Sequence, residues 1–458
     1  MNKKRFLVFL VIIICIITLV TIFFAMINRK DTKVSLLTAN GEEEVNLYYY
    51  RAVPGLKMAE EMGLVHLVNK RIDLSGHNAK LNIDRIWYNN QNIVIFFHIE
   101  DLTQVIYLGG DVYLPSNEPI KKTIFWGSHT IGGINEKGII YGRDFYSCLT
   151  LPLLNDKSGK PLSELDVLTF KPILTIPSID KSSKDESIQL KAFEIDLKYR
   201  SDEETVVKIP IQDQIEIDDK RISFYQIDIT PSICRIYFQY LNSSKDRVYR
   251  VKGKYTTDKG EINSFDVYPT VITDYPYHYY IEVPPFHESP DDIKLLIESL
   301  FCIGGDNVSF EIDTSLYTKK KTVYDVEIGY NSIKNTDLGI NKILLDKFNA
   351  QVSIEYTISG QPTKPYTRLE LKSPLWQPDG DKQISQSKSG NLLTVHDEDF
   401  RYYDLDKWAY GVATLPGVGI NLSLSREFWD GAGNITVELS NLTYIYEIDR
   451  EINIKLKY

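Results

Sequence analysis

From Leu64 to the C-terminus, apolar residues recur at every second position in short runs separated by Gly, Asn, Asp and Pro. Period two sends alternate side chains to opposite faces, so each run reads as a strand with one buried and one wet face. The cleanest examples are Phe193, Ile195, Leu197 and Tyr199; Val308, Phe310 and Ile312; and Ile452, Ile454, Leu456 and Tyr458. Each follows a longer apolar strand, at 168–176, 293–303 and 435–448. Each group also has similar opening strands, as in Val206–Ile211, Ile222–Ile229 and Ile233–Leu241 for the second. One wet face per strand is the pattern of antiparallel sandwiches. The chain of 458 residues exceeds the size at which single cores stop growing, about 250–300 residues. The expected fold is therefore all-β, with three tandem immunoglobulin-like β-sandwich blocks over 64–202, 203–317 and 318–458. A stem over 28–63 carries one short helix, opened by Pro54-Gly55 and closed by Gly63.

The N-terminal end is of another kind. Lys3, Lys4 and Arg5 precede a charge-free apolar run of 22 residues, Phe6 to Ile27. As a helix it is about 33 Å long, against about 30 Å of membrane hydrocarbon. No small-x-small cleavage site follows, so an uncleaved transmembrane anchor is expected over 6–27, with a cytoplasmic head over 1–5. Basic residues flank the run almost equally, and the long C-terminal part decides for a tail outside the membrane. Residues 1–33 hold six basic groups and one acid, net +5, which leaves −15 for residues 34–458 of the total −10. That acidic remainder argues against a nucleic-acid partner.

The segment 49–101 reads Val-Pro-Gly-Leu (53–56), Gly-Leu-Val (63–65), Val-Asn-Lys (68–70), Leu-Asn-Ile-Asp (81–84), Tyr-Asn-Asn (88–90) and Ile-Val-Ile-Phe-Phe-His-Ile (93–99). It resembles the extracytoplasmic domain-of-unknown-function module of bacterial membrane-anchored, anti-sigma-factor-like proteins. The resemblance implies a sandwich held outside the membrane. Members of the anti-sigma type grip the sigma factor with a segment ahead of the membrane helix. Here five residues, Met1 to Arg5, precede Phe6, too few to bury an interface of about 800 Å² per partner.

Candidate chemistry is sparse. The seven histidines, His66, His77, His98, His129, His278, His287 and His396, include no His-x-x-x-His pair. His98 reads as a wet-face or satisfied histidine of its strand. Cys234 and Cys302 stand in opposite phase in their strands, Cys148 has no partner in its block, and no disulfide is expected. Cys15 lies within the apolar run as a small filler. Asp379 with Asp381, and Asp397, Glu398 and Asp399 with Asp404 and Asp406, offer oxygen ligands, but neither group matches a twelve-residue calcium loop, and both read as solvated loops. The Tyr275–Tyr280 run with Trp376, Trp408 and Trp429 offers aromatic faces for sugars or peptides, set against ordinary cross-strand packing. Asn-x-Ser/Thr sites at Asn242, Asn307, Asn421, Asn434 and Asn441 read as chance matches in a bacterial chain. Gly-Gly at 109–110, 132–133 and 304–305 read as turns.

The expected protein is a single-pass, non-enzymatic envelope protein: a sensor, spacer or interaction module with no catalytic, cofactor-binding or metal site and no small-molecule cofactor. Its partners are the cytoplasmic membrane, through residues 6–27, and an envelope protein or glycan. The alternatives are an anti-sigma-like regulator acting through another subunit, and an envelope hydrolase with its site in the third block.

Overall fold

The computed structural model describes residues 36–74, 76–114, 138–156, 158–177, 184–204, 206–241, 246–275, 277–317, 320–360, 363–370, 375–376, 392–404, 412–415 and 419–456. The expected anchor at 6–27 lies outside the described residues. Among those described, no helix is long and apolar enough to cross a membrane. The chain is mostly β, as the alternation predicts, and divides into two compact units.

The first unit takes in residues up to Val53 and Met62–Glu203. One sheet orders its strands Leu37–Ala39, Ile139–Tyr141, Asp144–Pro152, Asn92–Glu100, Lys80–Tyr88 and His66–Asp73. The other runs Phe193–Arg200, Glu164–Ile176 and Tyr107–Tyr113, with Glu186–Gln189 also paired to Glu164–Ile176. Their inner faces share one core, with Leu81, Ile95 and Phe97 from the first sheet and Leu168, Phe170 and Ile195 from the second. Asn89 turns the chain between Tyr88 and Asn92: its Oδ1 accepts from the Gln91 and Asn92 amides at 2.8 and 2.9 Å. The outer face of the larger sheet is covered by helix α1 (Glu42–Ala52), which buries Val45, Tyr48 and Tyr49. Tyr49 meets Phe96 edge-on at 5.1 Å and donates its hydroxyl to the Phe97 carbonyl at 3.2 Å. Such an aromatic pair adds about 0.5–1.5 kcal/mol beyond its buried area.

The second unit takes in Pro54–Glu61 and Glu204–Tyr458. Helix α2 (Leu56–Glu61) falls where Pro54-Gly55 and Gly63 predict it, with Leu56 and Ala59 fully buried. One five-stranded sheet orders Val207–Ile217, Lys220–Ile229, Cys234–Leu241, His278–Val283 and Thr270–Val271. A second orders Ile262–Val267, Arg247–Thr257, Asp292–Ile303, Thr443–Lys455 and Tyr366–Glu370. A four-stranded sheet runs Val308–Asp313, Asn434–Ser440, Leu392–Asp397 and Leu375–Trp376, and a last five-stranded sheet runs Val323–Ile333, Thr336–Leu345, Asn349–Ile358, Gly419–Ser425 and Val412–Leu415. Lys334 and Asn335, at φ 48° and 56°, join two of these strands in a two-residue turn of the type that suits hairpin twist. All four sheets contribute to one apolar core.

The pairing in this unit runs across residues 317 and 318, where the sequence places a block boundary. The C-terminal strand Thr443–Lys455 lies between Asp292–Ile303 and Tyr366–Glu370, with Ile293 opposite Ile454 and Leu295 opposite Ile452. The alternation at Ile452 and Ile454 is therefore the end of one long strand. The apolar stretch 435–448 is two strands, broken at Asn441, where φ is 53°.

Two local expectations are corrected. Gly109 and Gly110 lie inside the strand Tyr107–Tyr113, not in a turn. Gly110 has φ +152°, and a Cβ there would stand 2.4 Å from the Lys171 carbonyl oxygen and 2.8 Å from the Phe170 ring. The glycine admits the neighbouring strand. Cys302 shares the buried face with Cys234, because a bulge between Ile297 and Ser299 reverses the phase of its strand. Both thiols are nonetheless free, as is that of Cys148.

Candidate functional site

The sheet opening the second unit has a buried side built on Ile222, Phe224, Ile236, Phe238, Tyr279 and Ile281. Its strand register sets the opposite, wet side in rows. Gln226, Tyr237, Tyr280 and Thr270 stand in line across four strands. Ser223, Gln239 and His278 form the next row, reached from Gln214 on the edge strand. Tyr225 is the extra residue of a bulge between Phe224 and Gln226, which sets its ring between the two rows.

The rings touch in sequence. Tyr225 lies 6.1 Å from Tyr237 and 5.5 Å from His278, and Tyr237 lies 5.7 Å from Tyr280. Tyr275, 60% exposed, extends the series 5.7 Å from His278. The Arg235 guanidinium stands 5.5 Å from the Tyr280 ring centre and donates to Glu282 at 3.0 Å. Burial and the neighbouring Asp228 carboxylate, its hydrogen-bond partner, push the Tyr237 hydroxyl up to about 12. This face can stack on flat apolar surfaces and hydrogen-bond to what lies between them.

The sequence reaches part of this platform. The Tyr275–Tyr280 run supplies Tyr275, His278 and Tyr280, whereas Tyr279 is buried. Tyr225 and Tyr237 escape notice as single tyrosines in strands. Their signal is phase, since both fall on the polar positions of strands whose other positions are Ile and Phe.

In the first unit, a recess of about 240 Å³ opens between α1 and the larger sheet. His98 lines it, with Nδ1 at 2.8 and 2.9 Å from the two Asp84 carboxylate oxygens and its ring stacked 5.0 Å from Tyr146. Asp84 is the extra residue of a bulge between Ile83 and Arg85. Burial works against the charged ring, but the Asp84 carboxylate, with Asp144 and Glu100 further off, raises the His98 pKa above its ordinary value. The Arg85 guanidinium lies 5.2 Å from the Tyr49 ring and 4.8 Å from Phe96. Cys148 is buried nearby, and burial pushes its thiol up to about 12, which removes it as a nucleophile near neutral pH.

The remaining candidates are scattered. His77 Nε2 meets Glu186 at 3.0 Å, His287 Nδ1 meets Glu261 at 2.8 Å, and His396 Nδ1 meets the Asp397 carbonyl at 2.8 Å. His129, Asp379, Asp381, Asp406, Trp408 and Asn242 lie outside the described residues, as does the Trp376 side chain. Asp397 accepts from the Arg401 amide and guanidinium, both at 2.8 Å, and Glu398 from the Gly433 and Asn434 amides, both at 2.8 Å. These carboxylates hold their own loops. Among the described residues, no group of three or more His, Cys, Asp or Glu is placed to hold a metal ion. Trp429 is buried in the core against Tyr317.

No protein-family model matches the chain, and no curated protein matches it. One solved structure, "The crystal structure of the conserved domain protein from Bacillus anthracis", aligns at 12% identity and a TM-score of 0.23, covering 58% of this chain and 86% of that one. A score that low carries no argument about fold or function.

Proposed function

We propose that this protein is a membrane-anchored, extracytoplasmic, non-enzymatic interaction module that binds through the tyrosine platform of its second unit. The observation that carries the reading is the platform itself: three tyrosines and a histidine in mutual contact on the wet side of a sheet. Tyrosine is enriched where surfaces recognise partners, because its ring supplies contact area at low entropic cost. The apolar run at 6–27 and the split of charge into +5 and −15 support the membrane placement. The resemblance of residues 49–101 supports an envelope module, and the two sheets closing on one core in the first unit support its reading as an immunoglobulin-like sandwich.

The test is retention of cell-envelope material by the immobilised full chain, compared with the Tyr237→Ala/Tyr280→Ala double variant. The proposal expects retained material that the double variant loses. Equal retention by both would remove the platform as the binding face.

A further inference from the structure

We infer that the platform's ligand is an uncharged polysaccharide, laid in an extended conformation across the strands. The inference rests on the reading of this face as a binding surface. Its ground is the chemistry of successive rows. The row of Gln226, Tyr237, Tyr280 and Thr270 and the row of Ser223, Gln239 and His278 contain no carboxylate, ammonium or guanidinium group. They offer ring faces, amides and hydroxyls. Pyranose rings present the matching set, with C–H faces that lie on an aromatic ring and hydroxyls around the rim that pair with amides.

The adjoining row sets the charge. Lys208, Asp228, Arg235 and Glu282 follow one another across the sheet with alternating sign. Arg235 is closed by Glu282 at 3.0 Å, and Asp228 accepts from Gln226 at 2.5 Å. A polymer of phosphates or uronates meets no field of one sign here, and residues 34–458 carry a net −15 that repels it. The face therefore complements a neutral chain. Four strands at about 4.8 Å spacing give a track of about 14 Å, long enough for a few sugar units.

The experiment is calorimetric titration of the full chain, in a detergent whose headgroup is not a sugar, with cellohexaose, maltohexaose and chitohexaose, and with polygalacturonate and polyglutamate as anionic probes. At least one neutral hexamer binds. Tyr237→Ala and Tyr280→Ala each weaken it by about tenfold or more, the scale of an aromatic hot spot, with an unchanged thermal midpoint. Tyr237→Phe, which keeps the ring, retains binding. Binding of the anionic polymers alone, failure of every neutral hexamer, or neutral binding indifferent to both rings overturns the inference. If envelope retention depends on Tyr237 and Tyr280 while the hexamers fail, the ligand class is wrong and the face stands; retention that protease treatment of the envelope material abolishes identifies a protein instead. If retention is indifferent to the rings, the face itself falls.

Discussion

Gly55 has φ +78°, and a Cβ added to it would lie 1.8 Å from the Pro231 carbonyl oxygen. The Val-Pro-Gly-Leu motif thus has a physical reason: the chain before α2 packs backbone to backbone with no room for a Cβ, at an angle that favours glycine. Gly55→Ala is expected to destabilise the second unit by about 2 kcal/mol or more, from positive-φ strain plus displaced backbone, read as a lower denaturant midpoint. His98 and Asp84 give a prediction with a sign. The folded pKa of His98 is raised, so the pair's stabilisation is fully present below the unfolded value, about 6.5, and is lost as pH rises through the folded value. In Asp84→Asn the main raising partner is gone while burial remains, so an NMR titration should find the His98 pKa lower than in the native chain. The stability gap between the native chain and this variant should be widest in mild acid and narrow as pH climbs. An unchanged His98 titration would remove Asp84 as the cause. At this scale the sequence was legible in type and not in placement. Gly110 reads as a turn because nothing local shows that a strand passes over it, and Cys302 reads outward because a bulge is invisible to simple parity.

At the scale of elements, strands were legible from period two and α2 from its Pro-Gly start and glycine stop. Helix α1 was not. Its Tyr48-Tyr49-Tyr50 run favours strand by intrinsic preference. What makes it a helix is the acidic first turn, Glu42 to Glu44, with Glu44 accepting from the Asn40 amide at 2.9 Å, and the burial of Tyr48 and Tyr49 on the sheet. The long-range pairing of Thr443–Lys455 was also out of reach, because alternation gives a strand its faces and not its neighbours. That pairing predicts how the chain can be cut. A fragment covering 203–317 lacks the strand that flanks Asp292–Ile303, so it should expose Ile293, Leu295 and Ile297 and show no cooperative melt, whereas 204–458 together with 54–61 should melt cooperatively. A sharp transition in the short fragment would show that it folds without its C-terminal partner.

At the scale of the whole molecule, an apolar run over 6–27, which we propose spans the membrane, precedes a strand-rich body that carries a tyrosine-faced sheet. The platform was legible only in part, since the two rows exist by virtue of register between strands far apart in sequence. Placement outside the membrane is the claim on which the rest depends, and the buried thiols allow a direct measurement. Cys148, Cys234 and Cys302 are all buried, and burial raises each thiol well above its ordinary value. They should therefore react little with a maleimide in the folded protein. Tyr268 is 71% exposed, so Tyr268→Cys supplies one reactive thiol on the second unit. In intact cells, a membrane-impermeant maleimide should label this variant strongly and the native chain weakly. Labelling of Tyr268→Cys that appears only after the membrane is broken would place the body inside the cell and contradict the account.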